Sequence, residues 1–233
     1  MARSPRLALA GELHYLVQRG HNQQSVFVDD SDREAYLRML RDAVRQYGVA
    51  IHAYALLASE VHLLATPPDD QSLSRTMQSL GRRYVAAFNR RHGRMGTLWA
   101  GRFRAGLIES GPSGVDAMVH IESMPVRAGL APTEIDWPWS SAAHNVGHRR
   151  DPLVSEHPAY WALGNTPFER ELAHAHRLKA GLSFALAEGL QAAALQGRTW
   201  GSSLFADKVS ALSGLSQQRP PRGRPSRTER GQS

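Results

Sequence analysis

Polar and apolar residues alternate along Glu60-Val61-His62-Leu63, within the longer stretch from Leu56 to Pro67. Alternate residues of a strand share a face, so Glu60 and His62 project together while Val61 and Leu63 pack on the other side. Leu13 to Gln18 reads as an earlier strand, followed by the polar turn Arg19 to Gln24. Ser31, with Glu34 three residues on, has the pattern of a capping box; Leu37, Leu40, Val44 and Tyr47 then recur at helical spacing, and Gly48 supplies the stop. Val49 to Leu57 and Glu60 to Thr66 predict two strands in an antiparallel hairpin, ended by Pro67-Pro68. Leu73, Met77, Leu80, Tyr84 and Phe88 make the apolar stripe of a second helix that ends near Gly93. Phe103 to Glu109 predicts a fourth strand, and a helix follows from about Gly114 to Met124, closed by Pro125.

The order β-α-β-β-α-β is that of a split βαβ unit, so the fold class expected is α+β: a ferredoxin-like antiparallel sheet with helices packed on a face. Beyond it, Trp137-Pro138-Trp139-Ser140-Ser141 reads as a loop that either anchors on the core or stacks on bases. Thr166 to Leu195 and Ser202 to Leu212 look helical, and from Gln217 the composition is that of a disordered chain. The expected organisation is a domain over 1–146, a helical C-terminal extension over 147–216 and a basic tail over 217–233.

Charge changes the picture more than size does. The 233 residues carry 28 Lys+Arg against 21 Asp+Glu, a formal charge of +7, which points to an anionic partner, nucleic acid ahead of membrane. Only Lys179 and Lys208 are lysines; the remaining cations are arginines, whose planar fork suits phosphate oxygens. The absence of cysteine excludes disulfides, zinc knuckles and thiol chemistry and fits a reducing compartment. No apolar run is long enough to span a bilayer, and Met1 to Arg6 lacks the apolar core of a signal peptide.

The arginines cluster. Arg82, Arg83, Arg90, Arg91 and Arg94 lie on and after the second helix, followed by Arg102 and Arg104; acidic partners at the usual helical spacings are missing. Arg83 and Arg90, two turns apart, share a face, and a phosphate backbone suits it. The tail segment Arg222-Gly223-Arg224-Pro225 resembles an AT-hook, a pattern that lies in a narrow minor groove. Glu60 and His62 form half of a site for a divalent cation; as a pair alone they also describe an ordinary strand with its polar residues facing water.

Taken in order, several segments resemble the REP-associated tyrosine transposases, a branch of the HUH single-strand transposases. They are Val17-Gln18-Arg19-Gly20-His21-Asn22-Gln23, His52 to Leu57, Val61-His62-Leu63-Leu64-Ala65-Thr66-Pro67, Gly81-Arg82-Arg83-Tyr84 with Phe88 to Gly93, Gly96 to Phe103, Pro125-Val126-Arg127-Ala128-Gly129-Leu130 and Trp137 to Ser141. Ala162 to Pro167, Gly201 to Phe205 and the Arg-Gly-Arg-Pro tail extend the similarity over nearly the whole chain. The resemblance implies metal-assisted cutting and rejoining of single-stranded DNA at hairpin-forming repeats. In that chemistry a tyrosine attacks the phosphodiester, while two histidines of a His-hydrophobic-His strand and a polar side chain on the nucleophile's helix hold Mg²⁺ or Mn²⁺.

Three positions depart from that pattern. The first histidine of the motif falls on Glu60, the second is His62, the nucleophilic tyrosine falls on His120 and the helix ligand on Met124. Glu60 still suits a hard cation, whereas the Met124 thioether does not. An imidazole can attack phosphorus, but the product is a phosphoramidate, and no base for it is evident. The tyrosines that remain, Tyr15, Tyr36, Tyr47, Tyr54, Tyr84 and Tyr160, sit elsewhere in the sequence. The expectation is therefore a transposase-family protein that binds single-stranded or hairpin repeat DNA, with nicking and joining weakened or lost. It would act as a monomer or homodimer in the cytoplasm at the nucleoid, without a membrane partner. One alternative is an active metal-dependent enzyme with His120 as nucleophile and Glu60 with His62 as metal ligands. Another is a protein-interaction module in which Gln23, Gln24 and the arginine face contact protein. A tyrosine hydroxyl within a few ångströms of Glu60 and His62 would overturn the lost nucleophile.

Overall fold

A computed structural model describes residues 8–214. Five strands, β1 (Leu13–Arg19), β2 (Ala50–Leu56), β3 (Glu60–Thr66), β4 (Arg104–Ile108) and β5 (Thr199–Trp200), form one sheet in the order β2-β3-β1-β4-β5. β1 pairs antiparallel with β3 and β4, and β2 with β3, which is the α+β split-βαβ arrangement the periodicity predicts. The short β5, parallel to β4, has no counterpart in the sequence pattern; two residues are too few to show alternation.

The helices cover both faces. α1 (Asp30–Tyr47) and α2 (Ser72–Arg91) bury Tyr36, Leu40, Met77, Leu80, Tyr84 and Phe88 against Leu16, Leu63 and Ala65. On the other face α3 (Pro112–Glu122) lays Ala117, Met118 and Ile121 over Tyr15, Val17 and Leu64. The short helices α4 (Met124–Arg127), α5 (Ala142–Asn145) and α6 (Pro158–Trp161) follow. Then come α7 (Pro167–Ala180), α8 (Phe184–Gln196) and α9 (Ser203–Ser213). α8 joins the α3 face through Leu190 and Ala194. It comes so close to β4 that a Cβ on Gly106 would stand 2.7 Å from the carbonyl oxygens of Ala193 and Arg198, so only glycine fits there.

Several boundaries differ from the sequence expectation, each for a local reason. α1 is capped by Asp29, whose carboxylate accepts from the Asp32 N–H, and Ser31 lies inside the helix; among consecutive polar candidates the earliest one takes the cap. Gly48 ends α1 in the left-handed conformation (φ 69°), as expected of a C-terminal glycine. α3 stops at Glu122, and Pro125 lies inside α4 rather than closing α3. With no N–H, Pro125 cannot continue the ladder, so His120 and Met124 do not share one continuous helix. The run from Thr166 to Leu195 is two helices, parted at Gly181 (φ 67°) and restarted by Ser183, which caps Leu186. The Trp137–Trp139 loop is an anchor: the Trp137 indole donates to the Leu56 carbonyl, the Leu56 N–H donates to the Trp139 carbonyl, and Arg33 lies over both rings.

Candidate active site

Antiparallel register brings together what the chain separates. Val17 faces His62 across one ladder and Arg104 across the other, and Arg19 faces Glu60. Cross-strand partners share a face, so Tyr15, Val17, Arg19, Glu60, His62 and Arg104 all look toward α3. His120, near the end of α3, completes the group: its ring meets the Tyr15 ring edge-on at a centroid distance of 5.6 Å.

The hydrogen bonds form one chain. The Arg19 guanidinium pairs with Oε1 of Glu60 at 3.1 Å, and Oε2 of Glu60 accepts from Nε2 of His62 at 3.1 Å. With Nε2 protonated, Nδ1 of His62 is the acceptor for the Tyr15 hydroxyl at 2.9 Å. Burial lowers the His62 pKa and keeps the ring neutral, while the His62 hydrogen bond, ahead of other causes, lowers that of Glu60. Burial, with the Glu60 charge behind it, pushes the Tyr15 phenol far up. The sequence places Tyr15 apart from this site; instead its hydroxyl is the direct partner of His62, which meets the condition that overturns a lost nucleophile: a tyrosine hydroxyl is present in the site. The register did this, since Tyr15 is two positions from Val17 and hence on its face.

His120 differs from an attacking group in two ways. Its pKa is pushed down to about 3, by burial first and then by His62 and Arg127. Arg127 donates to Nδ1 at 3.3 Å, so the neutral ring carries its proton on Nε2, and that buried N–H has no partner among the described residues. The lone pair a nucleophile needs is thus the one facing the guanidinium. Tyr15, His62 and His120 are all 0% exposed; Glu60, Arg19, Arg104 and Arg127 form the accessible rim.

The donor set fits a resident Mg²⁺ or Mn²⁺ poorly. Both nitrogens of His62 are engaged within the protein, and one Glu60 oxygen is committed to Arg19. Among the described residues no group of three or more His, Asp or Glu side chains could hold a metal ion. Hard divalent cations take more oxygen ligands than Glu60 alone offers, and the Met124 thioether adds none.

The arginines divide into two sets. α2 packs on the sheet face opposite Glu60 and His62, so Arg82, Arg83, Arg90 and Arg91 do not ring the site. Acidic partners, absent from α2 itself, come from α1 and its N-terminus. Arg83 pairs with Asp42 at 2.7 Å, and Arg91 reaches both Asp29 and Asp32 at 2.6 Å. Arg94 donates to Gln24 and covers the Phe88 ring. Arg82, Arg90, Arg102 and Arg104 are exposed and in no ion pair among the described residues. Arg222 and Arg224 lie outside the described residues.

A second polar cluster gave no signal in the sequence. Glu122, fully buried at the end of α3, accepts from Ser141 (2.5 Å), Asn145 (2.6 Å) and Nε2 of His174 on α7 (2.6 Å). The three partners lie 19, 23 and 52 residues further along the chain, beyond the reach of any local pattern. The network ties the C-terminal helices to the helix that carries His120.

Comparison with known proteins accords with this geometry. Residues 12–116 match the family model described as "Transposase IS200 like". A REP-associated tyrosine transposase, solved bound to a REP hairpin, matches with a TM-score of 0.53 at 20% identity, covering 68% of this chain and 93% of that one. A transposase candidate from Deinococcus radiodurans R1 matches with a TM-score of 0.35 at 21% identity, covering 45% and 84% of the respective chains. No curated protein matches the sequence. Residues 12–116 thus resemble the IS200-like transposases, and the fold built around them is similar to that of a REP-associated tyrosine transposase.

Proposed function

We propose that this protein binds single-stranded or hairpin DNA and that its strand-cutting activity is weakened or lost. The observation that carries the reading is the closed chain Tyr15–His62–Glu60–Arg19 with His120 sealed beside it. Every group able to attack or to bind metal is buried or already bonded to a neighbour. Arg104 and Arg127 stay exposed around it and supply charge to a phosphate backbone. The relative of like fold was solved on a REP hairpin, which supports that class of ligand.

The test offers labelled hairpin DNA with Mn²⁺ and resolves the products on a denaturing gel. Salt-sensitive binding with no covalent protein–DNA species is expected. Absence of binding at low salt would remove the DNA reading and favour the protein-interaction module.

The Tyr15–His62–Glu60 chain also favours a second reading, in which cutting survives. A hydroxyl bonded to a neutral imidazole that is held in turn by a carboxylate is the arrangement of an activated nucleophile. Tyr15, rather than His120, would then attack phosphorus and give its proton to His62, while the P–O3′ bond breaks and the 3′-oxygen leaves as a hydroxyl with the proton that His62 received. An adduct that persists in His120→Ala and disappears in Tyr15→Phe would establish it. The 0% exposure of Tyr15 places this reading second.

A further inference from the structure

The exposed side of α1 holds a group of arginines that neither the site nor α2 uses. Arg38, Arg41 and Arg45 follow one another at spacings of three and four residues, which puts them on one helix face. All three are exposed, and none is in an ion pair among the described residues. The acidic residues of α1 are mostly spoken for: Asp42 holds Arg83, Asp32 holds Arg91 and His92, and Asp30 holds Arg33. Glu34, one turn before Arg38, is the acid left on that side.

A second segment adds to the patch. Tyr54, on the sheet face that α1 covers, donates its hydroxyl to Asp151 at 2.6 Å. That holds the 148–150 turn on the α1 side of the sheet, with Arg149 and Arg150 exposed. Arg149 is fixed by a 3.0 Å bond to the Pro138 carbonyl, the loop that Arg33 of α1 also clamps. The patch is therefore built on a helix and an anchored loop rather than on free side chains.

Its place in the fold separates it from the candidate active site. α1 packs on the sheet face away from His120. From Arg38 to Arg45 the helix rises about 10 Å, the axial length of roughly three phosphates on one strand of a duplex. We infer that the outer face of α1, with Arg149 and Arg150, is a second nucleic-acid surface that takes the phosphate backbone of a DNA duplex, while the opposite face of the sheet takes the unpaired strand. This rests on the DNA-binding reading and assigns the duplex stem a site of its own.

The experiment uses the full-length chain and two probes, a blunt duplex and an unpaired strand of the same length. Arg38→Ala/Arg41→Ala/Arg45→Ala is expected to weaken duplex binding and to reduce the slope of log K against log salt by about 2.7, at 0.9 per phosphate contact. Binding of the unpaired strand should change by less than about twofold. The matching triple lysine variant keeps the charge and should keep the duplex slope, which separates lost contacts from lost folding. An unchanged duplex slope in the alanine variant would overturn the inference, as would equal losses on both probes with the lysine variant intact. Failure of the unaltered protein to bind either DNA would instead overturn the DNA-binding reading itself.

Discussion

The hydroxyl of Tyr15 and Nδ1 of His62 stand 2.9 Å apart, joined across neighbouring antiparallel strands and sealed beneath α3. A tyrosine is present at the heart of the site, so the proposed loss of cutting rests on burial and on hydrogen bonds already made, and not on the lack of a hydroxyl. His120 contributes by capping Tyr15, with its own lone pair turned to Arg127.

Tyr15→Phe removes one buried hydrogen bond and leaves Nδ1 of His62 without a partner. A loss of about 1–2 kcal/mol in unfolding free energy is expected, measured by urea denaturation. DNA affinity should stay within about twofold, because the hydroxyl is not exposed. A tenfold fall in affinity in a folded variant would mean that Tyr15 meets the ligand.

Arg104 and Arg127 each add a cation to the accessible rim. Changing them singly to alanine should lower the salt slope for single-stranded DNA by about 0.7 each. Arg83→Ala and Arg91→Ala should lower it less, because Asp42, Asp29 and Asp32 already neutralise those guanidinium groups. Fluorescence anisotropy at several salt concentrations measures both; equal slopes for the two sets would contradict the division.

Stability should fall in mild acid. Burial holds His14 near a pKa of about 4 and His120 near about 3, against an ordinary value of 6.5. Both folded values lie below the unfolded one, so below about pH 6.5 the unfolded chain binds protons that the native state refuses. Stability is therefore complete above that pH and declines as pH drops toward 4. Two such rings give a slope of up to about 3 kcal/mol per pH unit, and the lowered His52, His62 and His157 act in the same direction. The urea midpoint against pH measures it; a flat profile from pH 7 to 4 would show that the rings titrate freely.

Glu122→Ala leaves the buried donors of Ser141, Asn145 and His174 without their acceptor. A loss of about 3–5 kcal/mol is expected, since one member of a buried network is removed while the rest stay desolvated. Glu122→Gln, which keeps an acceptor oxygen, should cost less. Equal midpoints for Glu122→Ala and the unaltered protein would show that water reaches the cluster.

The antiparallel strands, the long helices α1 and α2 and the shared face of Glu60 and His62 were all legible in the chain. Each follows from a short-range period: two residues for a strand face, three to four for a helix face. Local rules also read the Gly48 stop and the family motifs. What they could not supply was whatever depends on pairing distant segments. The register of β1 against β3 set Tyr15 beside His62, and α1 delivered the acids that neutralise Arg83 and Arg91. α7 carried His174 to Glu122 from 52 residues away. Such contacts leave no periodic trace, because burial and register are properties of the packed sheet and not of any one stretch of it.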